Sequence, residues 1–267
     1  MLKDYAVPND IYTFKGADPL KEFEKALEQA TNILDSSSWI RNQVKNDKIK
    51  FEIVYNSQTK DITLTLDWEN KIDYYASLFG PGNVPGYLTE QDISVICNLA
   101  KELPPSGIFV EVGSFLGKSA VEWAKNLKHL DKDYKIVTID SYNSDVDILR
   151  NLLIQADFEV PDSKTHLEMF QHYTQDYTNI KPLEAFFNQD FVFDQKIAGV
   201  FEDSDHTQRT LNYALPYWWE RLVPGGILSG HDYYLRDVKV SVDSFALLND
   251  LEVFKAGPGS SIWWIKK

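Results

Sequence analysis

The pattern of apolar and polar residues along the chain changes near residue 105. Before that point, apolar residues recur at helical spacing across residues 18–33, and residues 50–56 and 61–68 alternate apolar and polar side chains. The four residues between the two alternating segments suit a hairpin loop. We therefore predict a small α+β region here, made of a surface helix and a β-hairpin.

After residue 105, short apolar runs alternate with amphipathic segments. The predicted strands are 108–112, 135–139, 179–183, 197–201, 226–229, 252–254 and 261–265. Strands that alternate with helices favour a mostly parallel sheet with helices on both faces. The last two strands are close in sequence, which favours an antiparallel strand at one edge. The predicted fold is α/β, a Rossmann-like, doubly wound sheet of seven strands.

A segment rich in glycine and proline, residues 80–89, separates these two patterns. We interpret it as a linker and predict two parts, residues 1–85 as an N-terminal helix and β-hairpin extension and residues 86–267 as the main domain. Thr89 or Asp92 is suited to cap the helix that follows. The extension could serve as a lid, a dimer contact or a substrate-selecting subdomain, and the sequence does not choose among these roles.

Composition excludes several classes of protein. An apolar content of 43% with 13% aromatic residues is typical of a globular protein. The net charge of −13 disfavours a nucleic-acid partner, because nucleic acid attracts basic surfaces. We expect no membrane span and no signal peptide, and hence a cytoplasmic protein. The single cysteine, Cys97, excludes an intrachain disulfide framework.

Conspicuous polar clusters follow the predicted strands at their carboxyl ends, where ligands of open α/β sheets bind. Gly113 and Gly117 follow the first strand of the main domain, and Asp140 ends the second. The clusters after the fourth and fifth strands are Asp203, Asp205 and His206, and then His231 and Asp232. This arrangement predicts a binding site at one edge of the sheet.

The glycine segment GSFLGKS, residues 113–119, is similar to a phosphate-binding P-loop but is one residue too short. Glu111 would also repel a triphosphate at this place. The spacing of a nicotinamide dinucleotide motif is absent as well. The sequence therefore favours neither kind of nucleotide site.

Five segments together resemble the class I S-adenosylmethionine-dependent methyltransferases, in the branch with a GHDY-type motif after strand five that is related to small-molecule and sugar O-methyltransferases. They are VEVGSFLGKSA, FEDSDHT, LVPGGILSGHDYY, DVKVSVDSF and SSIWWIKK, and they occur in the family's order. The resemblance covers roughly residues 86–267. One departure is Ser204, where the family often has glycine.

The resemblance implies roles for particular residues. Those implied to hold the amino acid moiety of S-adenosylmethionine are Glu111, Gly113, Ser114 and Gly117. Asp140 would accept hydrogen bonds from the ribose, with Ser141 and Tyr142 beside the adenosine. Asp203 would lie near the sulfonium and the substrate.

Two histidines are candidates for general bases, His206 and His231, because imidazole titrates near neutral pH. Each could instead only orient a loop. Some sugar O-methyltransferases of this fold bind magnesium, and the matching positions are Asp203, His231 and Asp232. A histidine in that set shifts the preference from magnesium toward metals such as manganese. Alternatively, Asp232 could bond to backbone N–H groups.

We therefore predict an S-adenosylmethionine-dependent methyltransferase that acts on a small-molecule acceptor by O-methylation. The nucleic-acid methyltransferase signature of Asp/Asn-Pro-Pro-aromatic is absent, which agrees with the acidic charge. Two alternatives are a metal-dependent enzyme of the same fold with other chemistry, such as hydroxylation, and a non-catalytic protein that binds the cofactor. The sequence leaves a homo-oligomer open.

Overall fold

The computed structural model describes residues 9–15, 18–36, 49–59, 61–68, 75–76 and 78–267. The chain divides into two compact units, with the division before Leu78. Residues 80–89, which we interpreted as a linker, therefore belong to the second unit. Gly80 N–H bonds to the Gly86 carbonyl oxygen, and Lys118 donates to the carbonyl oxygens of Gly80 and Val84. The assignment of residues 1–85 as a separate extension stays a prediction.

The first unit contains a three-stranded antiparallel sheet and one helix. Its elements are β1 (Asn9–Phe14), α1 (Pro19–Ser36), β2 (Ile49–Tyr55) and β3 (Ile62–Trp68), with the strand order β1-β3-β2. The helix packs against β3. Ala26, Ile62 and Leu64 are buried, as the alternation in residues 61–68 requires. The predicted helix and hairpin are present, whereas β1 was not predicted.

The second unit holds the remaining elements. They are α2 (Glu90–Glu102), β4 (Ser106–Val112), α3 (Lys118–His129), β5 (Asp133–Asp140), α4 (Val146–Gln155), α5 (His166–Thr174), β6 (Ile180–Glu184), β7 (Ile197–Glu202), α6 (Gln208–Arg221), β8 (Leu222–Gly230), α7 (Arg236–Leu248), β9 (Phe254–Lys255) and β10 (Trp263–Lys266). They form a seven-stranded sheet in the order β6-β5-β4-β7-β8-β10-β9. The strands from β6 to β8 pair in parallel, and β10 is antiparallel to both of its neighbours. The predicted fold class is confirmed.

Both faces of this sheet are covered, which explains why its strands are apolar nearly throughout. Alternate residues of β4 point to opposite sides: Phe109 packs with Trp123 of α3 on one face, and Val110 belongs to the cluster around Trp218 of α6 on the other. All six residues of β7 are buried. Since β5 lies on one side of β4 and β7 on the other, the strand order reverses at β4, where a ligand crevice is expected.

No helix within the part of the chain that the structure describes is long and apolar enough to cross a membrane.

Candidate active site

The turn between β4 and α3 needs glycine at both of its ends. Gly113 has φ of +84° and Gly117 of +93°, a region that side chains disfavour. A Cβ atom at Gly113 would lie 2.1 Å from the carbonyl oxygen of Asp203, and one at Gly117 would lie 2.5 Å from Thr174 Cγ2. The turn therefore packs directly on the loop after β7 and leaves no room for side chains at these two positions.

Asp140, at the end of β5, binds the backbone of this turn through its carboxylate. Its Oδ2 accepts hydrogen bonds from the backbone N–H groups of Ser114 (2.8 Å) and Phe115 (3.0 Å), and its Oδ1 accepts one from Tyr142 N–H (2.9 Å). A carboxylate offers about four lone-pair positions, and these three bonds leave the half-buried group able to accept one more. Its predicted bond to a ribose hydroxyl stays a prediction.

The residues after Asp140 present little polar surface. Tyr142 is buried, and its hydroxyl shares a 3.0 Å hydrogen bond with Thr138. The Ser141 hydroxyl donates to Asn143 Oδ1 at 2.9 Å. If these residues contact an adenosine, Tyr142 does so with its ring or backbone, not with its hydroxyl.

His166 is a residue of the turn's surroundings that the sequence analysis missed. It starts α5, and its Nε2 lies 2.9 Å from the carbonyl oxygen of Phe115, to which it donates as the neutral tautomer. Burial lowers the pKa of His166 and keeps it neutral. Its other ring nitrogen, Nδ1, is buried without a hydrogen-bond partner among the described residues. No local sequence pattern marks this histidine, because only the fold brings it to Phe115.

Glu111 is completely buried beneath the glycine turn. The hydroxyls of Ser119 and Ser114 are near enough to favour its charged form, but neither oxygen of Glu111 has a partner at hydrogen-bond geometry among the described residues. Burial, reinforced by the negative charges of Asp203 and Asp140, raises the pKa of Glu111 to about 8. The buried carboxyl group of Glu111 therefore has no hydrogen-bond partner among the described residues, and a cationic ligand would suit it.

Beyond the ends of β7 and β8, acids and imidazoles alternate in one cluster. His206 Nε2 lies 2.9 Å from Asp232 Oδ2 and 3.4 Å from Asp203 Oδ1. His231 Nδ1 lies 3.2 Å from Asp232 Oδ1, and its Nε2 faces Asp92 Oδ2 at 3.3 Å. The structure thus brings the predicted residues Asp203, His206, His231 and Asp232 together and adds Asp92, which the sequence indicated only as a cap.

Asp92 is held in place by the start of α2. Thr89 caps this helix by accepting from Asp92 N–H, while the Asp92 carboxylate accepts from Thr89 N–H at 2.8 Å, which forms a capping box. Its other oxygen accepts from the Ser260 hydroxyl at 2.6 Å and from Ser261 N–H at 3.2 Å. The carboxylate is 1% exposed, so its orientation toward His231 is determined by several bonds.

The cluster is charged at neutral pH. Burial disfavours the charged form of His206, but contacts with Asp203 and Asp232 outweigh it and raise the pKa of His206 to about 10. Burial opposes charge on His231 too, and Asp232 and Asp92 raise its pKa well above the ordinary value.

The acids of the cluster differ from one another. Burial alone would raise the pKa of Asp92, but the contact with His231 and the bond from Ser260 outweigh it and lower that pKa to about 2. Both imidazoles hold the pKa of Asp232 below its usual range against the effect of burial. Asp203 is the exception, because burial raises its pKa.

A divalent metal would find its ligands in a set that differs by one residue from the predicted one. The ligand atoms of Asp203, His206 and Asp232 lie within 4.8 Å of one another. His231, the predicted third ligand, is 9% exposed at its side chain and is enclosed between Asp92 and Asp232. Two carboxylates and one imidazole suit manganese, iron or zinc better than magnesium.

Comparisons with known proteins match part of the chain to a methyltransferase family. Residues 110–233, a little under half of the chain, match the model of a family described as a methyltransferase domain, Methyltransf_24. No curated protein is significantly similar to the chain.

Several solved structures are similar to this chain. The O-methyltransferase NovP has 15% identity and a TM-score of 0.50 over 68% of this chain and 81% of that one. A precorrin-8w decarboxylase of Methanobacterium thermoautotrophicum has 14% identity and a TM-score of 0.47, with 68% and 91% covered. A precorrin-6y C5,15-methyltransferase of Geobacter metallireducens has 12% identity and a TM-score of 0.46, over 67% of this chain and 90% of that one. At 15% identity, the likeness to NovP shows the fold alone.

The family match runs from the second half of β4, through the glycine turn, to the acids and histidines after β8. Residues 110–233 are therefore similar to a methyltransferase domain, and the chain shares its fold with a solved O-methyltransferase.

Proposed function

We propose that this chain is an S-adenosylmethionine-dependent methyltransferase that acts on a hydroxyl oxygen of a small-molecule acceptor. The observation that carries the proposal is the cluster of Asp203, His206 and Asp232 directly against the glycine turn, where Gly113 has room for no side chain beside the Asp203 backbone. A hydroxyl acceptor must lose a proton as its oxygen attacks, and carboxylates beside the donor site can take that proton up.

The residues of the glycine turn fit the methyl donor. Glu111 offers two buried oxygens that have no hydrogen-bond partner among the described residues, which suits an α-ammonium group, and Asp140 retains a lone-pair position, which suits a ribose hydroxyl. When bound, S-adenosylmethionine supplies an electrophilic methyl group on a sulfonium. The contribution of the chain is to align the acceptor oxygen and to exclude water, because such a displacement depends strongly on geometry.

Among the acid–imidazole residues, Asp203 is our candidate for the group that receives the acceptor's proton. Its raised pKa makes it more basic than an ordinary carboxylate, whereas His206 is already protonated at neutral pH. His206, 26% exposed at its side chain, would stabilise the charge of Asp203 and face the acceptor. His231 is enclosed by two acids, and we assign it to positioning Asp232 and not to direct proton transfer.

A divalent cation held by Asp203, His206 and Asp232 is compatible with the same function. Bound there, it would require neutral His206 and would supply Lewis-acid stabilisation to an acceptor alkoxide. We therefore include metal dependence in the test of the proposal.

The acceptor that we propose is neutral or cationic. The cluster contains three carboxylates and two imidazoles, so a negatively charged acceptor would be repelled, and the overall charge of −13 adds to that repulsion. Neutral polyhydroxylated metabolites such as sugars meet this requirement, whereas nucleic acids do not.

The test has two stages. Calorimetry with S-adenosylhomocysteine first checks the donor site, and a panel of hydroxyl and amine compounds is then screened for S-adenosylhomocysteine release, with EDTA and with added manganese. In Asp203→Asn we expect unchanged donor binding and a loss of transfer of about 100-fold or more. Asp205→Asn is the matched control, since Asp205 is exposed and its carboxylate accepts from Thr207 N–H and from the Thr210 hydroxyl at the start of α6. Transfer confined to amines, or an Asp203→Asn variant as active as wild type, would contradict the proposal.

A further inference from the structure

Lys118, the lysine of the P-loop-like segment, is buried and binds backbone carbonyl oxygens of the same chain. It begins α3 directly after the glycine turn and is only 5% exposed. Its Nζ donates to the carbonyl oxygens of Gly80 (3.2 Å), Pro81 and Val84 (3.1 Å). An ammonium has three donors, and these carbonyls engage all of them. Such bonds offset the large cost of burying a charge.

The segment that surrounds this ammonium is closed on itself. Gly80 N–H donates to the carbonyl oxygen of Gly86 at 2.8 Å. A Cβ atom at Gly86 would lie 2.8 Å from Lys118 Cβ, and one at Gly80 would lie 1.6 Å from the carbonyl oxygen of Leu88. Residues 79–87, the lysine-centred loop, are therefore shaped around the Lys118 side chain, and glycine is needed where that chain passes.

The two ends of the lysine-centred loop contact the glycine turn through aromatic rings. The ring of Tyr87 stacks on that of Phe115 at 5.7 Å, and the ring of Phe79 meets Phe115 edge-on at 6.1 Å. Phe79 and Tyr87 also contact each other at 5.0 Å. Phe115 is the central residue of the turn between Gly113 and Gly117, so the loop lies against the same turn that we assign to the methyl donor.

Phe115 needs such support because its backbone is strained. Its φ of +47° lies in the left-handed region, which is unfavourable for a bulky residue and persists only where the surroundings impose it. Asp140 fixes its N–H and His166 its carbonyl oxygen. The side chain of Phe115 is contacted by the two rings of the lysine-centred loop and, edge-on at 6.0 Å, by the ring of His166.

We propose that Lys118 is a positioning residue for the methyl donor. It holds the lysine-centred loop as one wall of the donor pocket, and through Phe79 and Tyr87 it keeps Phe115 in the conformation that shapes the glycine turn. This inference rests on the proposed function in one respect, because it takes the glycine turn as the donor site.

The chain offers a matched control for this role. Lys132 Nζ also donates to three backbone carbonyl oxygens, those of Ala100 (2.8 Å), Lys101 (2.8 Å) and Leu103, at the end of α2. This second group lies where β4 and β5 begin, at the opposite edge of the sheet from the glycine turn. Replacement of either lysine by methionine removes the same kind of bonds, but only one replacement disturbs the donor site.

The experiment is calorimetry with S-adenosylhomocysteine on wild type, Lys118→Met, Lys118→Arg and Lys132→Met, with thermal unfolding of each. We expect Lys118→Met to raise the Kd about tenfold or more, and we expect Lys118→Arg, which keeps a cationic donor, to recover most of that loss. Lys132→Met should melt at a lower temperature and yet bind as wild type does. Gly86→Ala, which disturbs the lysine-centred loop while the lysine is kept, should weaken binding in the same direction.

Two results would overturn the inference while the donor site stands. One is wild-type affinity in Lys118→Met and Gly86→Ala, and the other is an equal loss of affinity in Lys118→Met and Lys132→Met, which would indicate a general effect of stability. If wild type itself does not bind S-adenosylhomocysteine, the proposed function fails and this inference fails with it.

Discussion

Replacement of the buried acid under the glycine turn, Glu111→Gln, should remove a pH dependence of stability. In the folded protein the pKa of Glu111 is about 8, against 4.5 ordinarily. Between these values the folded state keeps a proton that the unfolded chain has released, so stability falls as pH rises. The contribution is fully present below 4.5 and is lost as the pH rises through 8.

The size of this effect follows from the two pKa values. Each pH unit between them is worth about 1.4 kcal/mol, so raising the pH from about 5.5 to about 7.5 should lower the free energy of unfolding of wild type by about 2.5 kcal/mol through this group. Glutamine has no such proton to lose. The stability of Glu111→Gln relative to wild type should therefore rise by that amount over the same interval.

Urea unfolding, followed by circular dichroism at several pH values, measures this difference. Glu252→Gln, at an exposed position, is the control and should follow wild type throughout. A difference between Glu111→Gln and wild type that stays constant over the interval would refute the reasoning, because it would mean that Glu111 is ionised in the folded protein at all of these pH values. Saturation with S-adenosylhomocysteine should reduce the difference, since the α-ammonium of the ligand favours the carboxylate.

Three further substitutions test the site. Gly113→Ala should destabilise the protein by more than about 2 kcal/mol and abolish donor binding, because its Cβ would meet the Asp203 carbonyl oxygen; thermal melts and calorimetry would show both. His166→Phe keeps a ring but loses the bond to Phe115, so we expect about 1 kcal/mol less stability and weaker S-adenosylhomocysteine binding. Asp92→Asn should cost about 1–3 kcal/mol in urea unfolding at neutral pH, and the loss should shrink as the pH falls toward 2, because the pKa of Asp92 is about 2.

The periodicity of the sequence was sufficient for most of the fold. The central strands β4 and β7 contain apolar runs because helices cover both faces of the sheet, and such runs are visible without any structure. The extent of the second unit was not predictable in the same way. Glycine and proline near residue 80 indicate a loop, but they do not reveal that a buried lysine binds its carbonyls.

For the candidate site, too, some residues could be predicted from the sequence and some contacts could not. Glu111, Asp140 and Asp203 could be selected because each comes at a strand end next to a recognisable motif. The arrangement of the imidazoles could not be predicted from the sequence. Asp232 has φ of +56°, which turns the chain at that point, and His231 faces Asp92, which is distant in sequence. Side-chain direction after a strand depends on such local backbone choices, and one sequence does not show them.

The close contact between Gly113 and the Asp203 backbone has a consequence for the order of binding. Two loops that touch without intervening side chains cannot shift independently, so a ligand that orders the glycine turn also affects the loop that carries Asp203, the proposed proton acceptor. The free energies of donor and acceptor binding are then coupled, and the coupling must be equal in both directions. We therefore expect acceptors to bind more tightly to the protein loaded with S-adenosylhomocysteine than to the empty protein, and the two substrates to enter in a preferred sequence, donor first.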